Sequence, residues 1–313
     1  MRNSVVLVTG AGGCIAAWVM KELDESGAKV VGFDLSDNKR RARLAMDDEA
    51  VFRIAWETGD IADGGRLRQV AEQHRVTAIV HLAALQVPFC KADPVAGTKV
   101  NVLGTVNVLE TARALGLKRL SYASSIAIQG MGADSPWLAT LYGAHKACCE
   151  AMAQVYWQDW QVSSVGIRPG VVYGPARDQG MSAAPTLAML AAVTRTPYEV
   201  PFTGPFPFLY VREAAAAFVA AVAQDRVGAT VFDLNGIGST VEAVLDLVRD
   251  VESGAKVTGR GAPFPFPAHL SDEPLTQFLG PYRKWDLKAG VTETLALFRE
   301  LVAAGKLGPS DVR

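Results

Sequence analysis

Tyr142 and Lys146 stand four residues apart in "TLYGAHKACCE", a segment with helical spacing. Side chains at that separation leave the same face of a helix, one turn above the other. A tyrosine, with an ordinary pKa of about 10, is a weak base at neutral pH. A lysine cation one turn away offsets the charge that appears on a phenolic oxygen as it gives up its proton. Such a pair could take the proton of an alcohol while the alcohol carbon is oxidised. A chain of this composition would show the spacing by chance about once in four, so the pair gains meaning only from the elements that position it.

Those elements belong to a globular chain. Of 313 residues, 50% are hydrophobic and 20% charged, with a formal net charge of -1. That balance leaves room for one large domain with a smaller appendage and argues against a disordered protein or a nucleic-acid coat. The apolar run in "MRNSVVLVTG" is too short for a signal-peptide core or a bilayer span. The longest small-apolar run, "AAAAFVAAVA" from Ala214 to Ala223, reads as a buried helix. Cys14, Cys90, Cys148 and Cys149 form no C-x-x-C pair and have no histidine at ligand spacing. No metal site or disulfide framework is expected, and a reducing cytoplasm is the expected compartment.

Short β-branched runs alternate with longer amphipathic segments: "SVVLVTG", Gly13 to Ser26, "AKVVGFD", "TAIVHLAA", Asp93 to Leu115, "KRLSYASS", the Tyr142 helix and "VSSVGIRP". That alternation predicts an α/β fold, a doubly wound parallel sheet with helices on both faces. The strands are apolar throughout, as expected when both sheet faces are covered. Beyond Pro175 the prolines 185, 197, 201, 205 and 207 break the rhythm. Residues 1–175, with 208–235 returning, are therefore assigned to a dinucleotide-binding domain, and 176–207 with 236–313 to a smaller substrate-binding region. Ser239 and Glu242 read as a capping box, Val291 to Ala304 as a last helix, and the proline-rich "GAPFPFPAHLSDEP" as a flap over a cleft.

"LVTGAGGCIAAWV" places Gly10 and Gly13 between the first strand and first helix, with Ala16 where a third glycine could stand. A pyrophosphate there would meet unpaired backbone N–H groups and the positive end of the helix dipole. Asp34 ends the second strand at the distance expected for an adenosine ribose, and a carboxylate there disfavours the 2'-phosphate of NADP. NAD is thus the expected cofactor. The competing reading is that Lys39, Arg40, Arg41 and Arg43 in "NKRRAR" embrace a 2'-phosphate.

Taken in order, "TGAGGCIA", Asp34, "GDIAD", "HLAA", "NVLGT", "ASSIAIQG", "YGAHK" and "RPGVVYGP" make the chain resemble the extended short-chain dehydrogenase/reductases, also called the NAD-dependent epimerase/dehydratase family, over nearly its whole length. The resemblance implies a Rossmann-type fold and a soluble homodimer, paired through the helices carrying Asn101 and Tyr142. It places Gly10, Gly13, Cys14 and Ile15 at the pyrophosphate, Asp34 at the ribose, and Asp60 with Ile61 beside the adenine. Leu82, Ala83 and Ala84 would line the cofactor groove, with Pro169 and Gly170 near the nicotinamide. Ser125, rather than Ser124, matches the catalytic serine by its spacing to Gly130. Tyr142 and Lys146 match the catalytic tyrosine and lysine, which also touch the cofactor.

The same machinery serves dehydrogenation, epimerisation and dehydration, because all three can begin with hydride abstraction. Family members acting on nucleotide-diphosphate sugars resemble one another in an arginine that holds the diphosphate, and here Phe206 in "GPFPFLYVRE" stands in its place. A small sugar, polyol or sugar acid is therefore the expected substrate, with a nucleotide-sugar epimerase or dehydratase of tightly bound NAD as the alternative. Gln86, Ser125, Gln129 and Arg177 are candidate substrate contacts, and Arg212 is a second arginine that could compensate for Phe206. His145 should face away from Tyr142, and Tyr156, Trp157 and Trp160 are expected in a core or dimer surface.

Overall fold

The computed structural model describes residues 1–129, 139–180, 182–264 and 269–312. Twelve strands run in the order β1 (Val5–Thr9), β2 (Lys29–Asp34), β3 (Ala55–Thr58), β4 (Ala78–His81), β5 (Leu120–Ala123), β6 (Ser164–Pro169), β7 (Val171–Tyr173), β8 (Tyr198–Val200), β9 (Pro205–Tyr210), β10 (Ala229–Leu234), β11 (Ile237–Thr240) and β12 (Val257–Gly259). Seven of them form one sheet in the order β10-β6-β5-β4-β1-β2-β3, and every adjacent pair is parallel. The chain starts at the centre, winds out through β2 and β3, then returns to build β4 on the other side of β1. Val8 therefore faces Gly32 on one flank and Val80 on the other. The reversal between β1 and β4 leaves a crevice at the carboxyl ends of the strands.

Alternate residues of β1 feed two cores. Val6 and Val8 pack with Trp18, Ala214 and Phe218 on one face, while Leu7 packs with Leu67, Leu109 and Tyr156 on the other. Burial on both faces is the physical reason that these strands read as unbroken apolar runs. The helix Val211–Ala221 is buried, as "AAAAFVAAV" suggests, against the first helix, Cys14–Glu25.

A small sheet, β11-β9-β7, and the pair β12-β8 stand apart from the seven-stranded sheet. Of the segment 208–235, β10 and the helix before it lie with the large sheet, whereas β9 pairs with β7 and β11. Phe206 on β9 is fully buried, stacked at 5.3 Å on Phe202 and packed 4.9 Å from Phe264. The expected capping box takes another form: Thr240 caps Val241–Val251 by accepting from Ala243 N at 3.1 Å, and Glu242 instead accepts from Gly204 N. β11 extends through Ser239 to Thr240, which moves the helix start one residue on. The last long helix starts earlier than its apolar spacing suggests, at Leu287, because Asp286 caps it through Ala289 N at 2.8 Å.

The segment 93–115 is also not one uniform helix. It runs as Pro94–Thr98, a wider π turn over Lys99–Leu103, and Gly104–Ala114. The π turn carries Asn101, whose buried amide donates to Leu85 O at 3.0 Å while its oxygen accepts from Leu85 N at 2.8 Å. That exchange pins the loop following β4, where the crevice opens.

Candidate active site

The Leu141–Trp160 helix begins at Thr140, whose hydroxyl accepts from Gly143 N at 3.0 Å. Gly143 approaches the turn after β5 so closely that a Cβ would lie 2.6 Å from Ala127 O. Only glycine allows that approach, and it brings Tyr142 to the wall formed by Ser125 to Ala127. One turn on, Lys146 is buried and donates from Nζ to Ala123 O at 2.6 Å, at the end of β5. The same ammonium stands 5.6 Å from the centre of the Tyr142 ring.

The two adjacent serines have different fates. Ser124 is buried and donates to Glu150, which in turn accepts two hydrogen bonds from Arg168 at 2.8 and 2.7 Å. Ser125 stays partly exposed on the cleft wall, and among the described residues its hydroxyl bonds only with Ala127, accepting from N at 3.1 Å. Ser125 is thus the one with a hydroxyl hydrogen to offer. Gly130, used above to align it, lies outside the described residues.

Behind Lys146, His81 at the end of β4 bridges Thr9 Oγ1 at 2.7 Å and Thr105 Oγ1 at 3.2 Å. Burial, with Lys146 adding to it, pushes its pKa down to about 3, so the imidazole is neutral. His145 turns away from Tyr142, as its spacing predicts, toward Thr98 at 3.1 Å and Asn101 at 3.4 Å. Cys149 is buried against Asn101 O and Thr105, while Cys148 is exposed. Tyr156 is buried and packs 4.8 Å from Trp160, which is half exposed.

Ser125, Tyr142 and Lys146 share a cleft of about 550 Å³ with the glycine turn. Gly10 has φ of +70°, and a Cβ on it would lie 2.7 Å from the Ala83 backbone. Gly13 N donates to Gly10 O at 2.8 Å, which folds the turn back so that the first helix starts at Cys14. The N–H groups of Cys14, Ile15 and Ala16 then find no acceptor among the described residues. Three aimed donors at a helix N-terminus, beneath a cradle that a side chain would fill, fit a bound diphosphate.

Asp34 accepts from Gly12 N at 2.9 Å and Leu35 N at 2.7 Å, which holds its carboxylate at the cleft edge. Asp60 and Ile61 line the same end, Leu82, Ala83 and Ala84 the floor, and Pro169 and Gly170 the far wall. The basic run that might have taken a 2'-phosphate is occupied. Arg40 and Arg41 pair with Asp178 at 2.8 and 2.7 Å, Arg43 with Asp48 at 3.1 Å, and Lys39 lies 5.5 Å over the Trp56 ring. The burial of Cys14 raises its thiol pKa to about 12, against the pull of Arg177 and Arg41.

Of the expected substrate contacts, Gln86, Ser125 and Arg177 line the cleft. Gln129 does not: it is exposed beside Asp233, with its amide nitrogen 3.5 Å from Oδ1, because the short turn Ile126–Gln129 directs it past the end of β10. Arg212 is also absent from the cleft, held by Glu293 and Glu22 between Trp18 and Trp285. Among the further cleft-lining residues that sequence reasoning did not single out are Thr140, Gln179, Ser182 and Phe264. Thr140 had a readable signal, a hydroxyl directly before a helix; the others are brought in by long-range packing. Phe264 belongs to the expected flap, of which residues 265–268 lie outside the described residues.

A profile for the NAD dependent epimerase/dehydratase family matches residues 6–235. UDP-glucuronate 4-epimerase 6 of Arabidopsis thaliana is 32% identical over 186 residues, 54% of this chain and 40% of that protein. A probable UDP-glucuronate 4-epimerase of Rhizobium meliloti is 33% identical over 186 residues, 54% of this chain and 53% of that one. The matched part is thus about half or less of those proteins' length. Among solved structures, Thermus thermophilus UDP-glucose 4-epimerase complexed with NAD superposes with a TM-score of 0.79 at 25% identity, covering 94% of this chain and 99% of the other. L-threonine dehydrogenase from Clostridium difficile shares the fold, with a TM-score of 0.82 at 18% identity over 96% and 99% of the two chains.

Proposed function

Since the chain belongs to the NAD dependent epimerase/dehydratase family, we propose that its cleft transfers hydride at a secondary alcohol or ketone of a small sugar, polyol or sugar acid, with Ser125, Tyr142 and Lys146 as the catalytic set. NAD, when bound, supplies the hydride acceptor. The first helix turn, Gly10 and Asp34 would hold it, and the paired state of Arg40 and Arg41 supports NAD over NADP.

The chain's own residues handle the proton. Tyr142 takes the hydroxyl proton of the substrate, or returns it to a carbonyl in the reverse direction. Lys146, fixed by Ala123 O, keeps a positive charge beside the ring and offsets the charge that develops on the phenolic oxygen. Ser125 donates from Oγ to the same substrate oxygen and orients it. Gln86 adds a neutral hydrogen-bonding group on the opposite wall.

The observation that carries the small-substrate reading is Phe206. It is sealed in an aromatic cluster with Phe202 and Phe264, so β9 offers no guanidinium to a nucleoside diphosphate. The second reading, a nucleotide-sugar epimerase or dehydratase, draws on the names of the relatives above. A panel of sugars, polyols and sugar acids, assayed for stoichiometric NADH, separates the two. Epimerised nucleotide sugar without net NADH would overturn the first reading in favour of the second.

A homodimer fits the exposed apolar side chains Val95, Leu103, Leu141 and Val155 on the segments that carry Asn101 and Tyr142. Light scattering at micromolar concentration tests it, and a monomer there would count against it. Among the described residues no helix is long and apolar enough to cross a membrane.

A further inference from the structure

Three cationic side chains line the cleft, and their situations differ. Lys146 is committed to Ala123 O and the Tyr142 ring. Arg41 donates to Asp178 Oδ1 from Nε at 2.9 Å and Nη2 at 2.7 Å, and from Nη1 to Gly12 O at 3.0 Å. Arg177 makes no salt bridge with any described residue. It donates from Nη2 to Ser182 Oγ at 3.1 Å, and its Nε is buried with no acceptor among the described residues. Burial lowers its pKa, the mark of a cation held where water solvates it poorly. A guanidinium so placed is costly unless an anion joins it.

The surroundings say which anion. The charge of Arg177 is felt at the thiol of Cys14, the first residue of the helix whose leading N–H groups find no acceptor among the described residues. On its other side, a Cβ on Gly180 would lie 3.2 Å from Arg177 Nη2 and 2.5 Å from Gln86 Oε1, so both polar groups flank one point. The intervening Asp178 fastens the segment down. It binds Arg41, which holds the Gly12 carbonyl, and Arg40, which also reaches Asp311 at 2.7 Å. Residues 177–180 are thereby stapled beside the glycine turn.

We propose that Arg177 is a ligand of the dinucleotide's diphosphate, not of the substrate, and that Asp178 fastens the strap of residues 177–180 that carries it. The helix N–H groups approach the diphosphate from one side and the guanidinium from the other. Arg177 thus leaves the substrate contacts to neutral groups, Gln86, Ser125 and Thr140, which recognise hydroxyls and carbonyls. This assignment rests on the reading of the cleft as an NAD site.

Calorimetric titration of the full-length protein with NAD, ADP-ribose and adenosine tests it without turnover. Arg177→Met is expected to weaken NAD and ADP-ribose about ten- to a hundredfold, the worth of a charge-assisted bond, and to leave adenosine unchanged. Arg177→Lys, which keeps the charge if the apolar variant folds poorly, should recover part of the loss and keep the salt dependence. Asp178→Asn should speed NAD release in a chase experiment. Unchanged ADP-ribose affinity in both Arg177 variants would overturn the proposal. Failure of the wild-type protein to bind NAD or ADP-ribose would instead overturn the cofactor reading beneath it.

Discussion

At the glycine turn the cleft is built largely from backbone, with N–H groups of Cys14, Ile15 and Ala16 and the close approach of Gly10 to Ala83. Beside Tyr142 it is built from side chains, Gln86, Ser125, Thr140 and Phe264, drawn from segments far apart in the chain. Backbone groups are placed by the geometry of a strand and a helix, whatever their side chains. Side chains on loops can be exchanged one at a time without disturbing the sheet. A scaffold divided in this way keeps one cofactor end while the other end varies.

The sharpest way to separate the two ends is Tyr142→Phe. Turnover of an identified substrate should fall about 10²–10⁴-fold, while NAD affinity by titration stays close to wild type. If NAD binding collapsed with turnover, the ends would not be separable. Gly10→Ala should do the reverse, because its Cβ would collide with the Ala83 backbone at a positive φ. We expect NAD binding to be lost and the fold to be destabilised by roughly 1–3 kcal/mol, read from a titration and a melting curve.

Two buried acid-base groups, His81 and Glu213, should respond to pH in opposite directions. His81 has a folded-state pKa of about 3, below its ordinary 6.5. The unfolded chain takes up the proton first, so this contribution to stability is lost as pH falls from about 6.5 toward 3. Glu213 accepts from Trp285 N at 3.2 Å, and burial raises its pKa from 4.5 to about 7. There the unfolded chain sheds its proton first, so stability falls as pH rises from about 4.5 to 7. Glu213→Gln should remove that decline, gaining a few degrees (~4 °C) in Tm relative to wild type between pH 5 and 8. A variant that tracks wild type across the range would refute it.

The smallest effect is expected from Gln86→Ala. Loss of one neutral hydrogen bond should raise KM for the substrate about three- to tenfold with kcat little changed. An equal loss in NAD affinity would move Gln86 to the cofactor end.

This division also explains what was legible in the sequence. Strand runs, the glycine turn, Asp34 and the Tyr142–Lys146 spacing are local patterns, and each falls where its local physics puts it. Ser125 could be separated from Ser124 only by alignment, whereas the fold separates them physically, through the Glu150–Arg168 pair that absorbs Ser124. Asp178 was not readable, because its partners Arg40 and Arg41 lie far away in the chain and look like a solvated basic run. Gln129 and Arg212 are candidates only through the family resemblance, as a substitute for a tyrosine and as compensation for Phe206, and long-range contacts to Asp233 and Glu293 take them elsewhere. The π turn at Asn101 was hidden because its apolar spacing still reads as a helix.

The position of β10 bears on the order in which the protein assembles. Its partner β6 is complete at Pro169, but the pairing from Ala229↔Ser164 to Leu234↔Pro169 closes only after the chain has made β7, β8 and β9. Gln154, on the helix of Tyr142, also donates to Ala229 O at 2.9 Å. During synthesis the Tyr142 helix and β6 therefore emerge well before the strand that shields them, and for that interval β6 is an open edge able to pair with a neighbouring chain. Late closure of this edge makes the stretch between β6 and β10 the interval in which slow synthesis or heat would most expose the protein to aggregation.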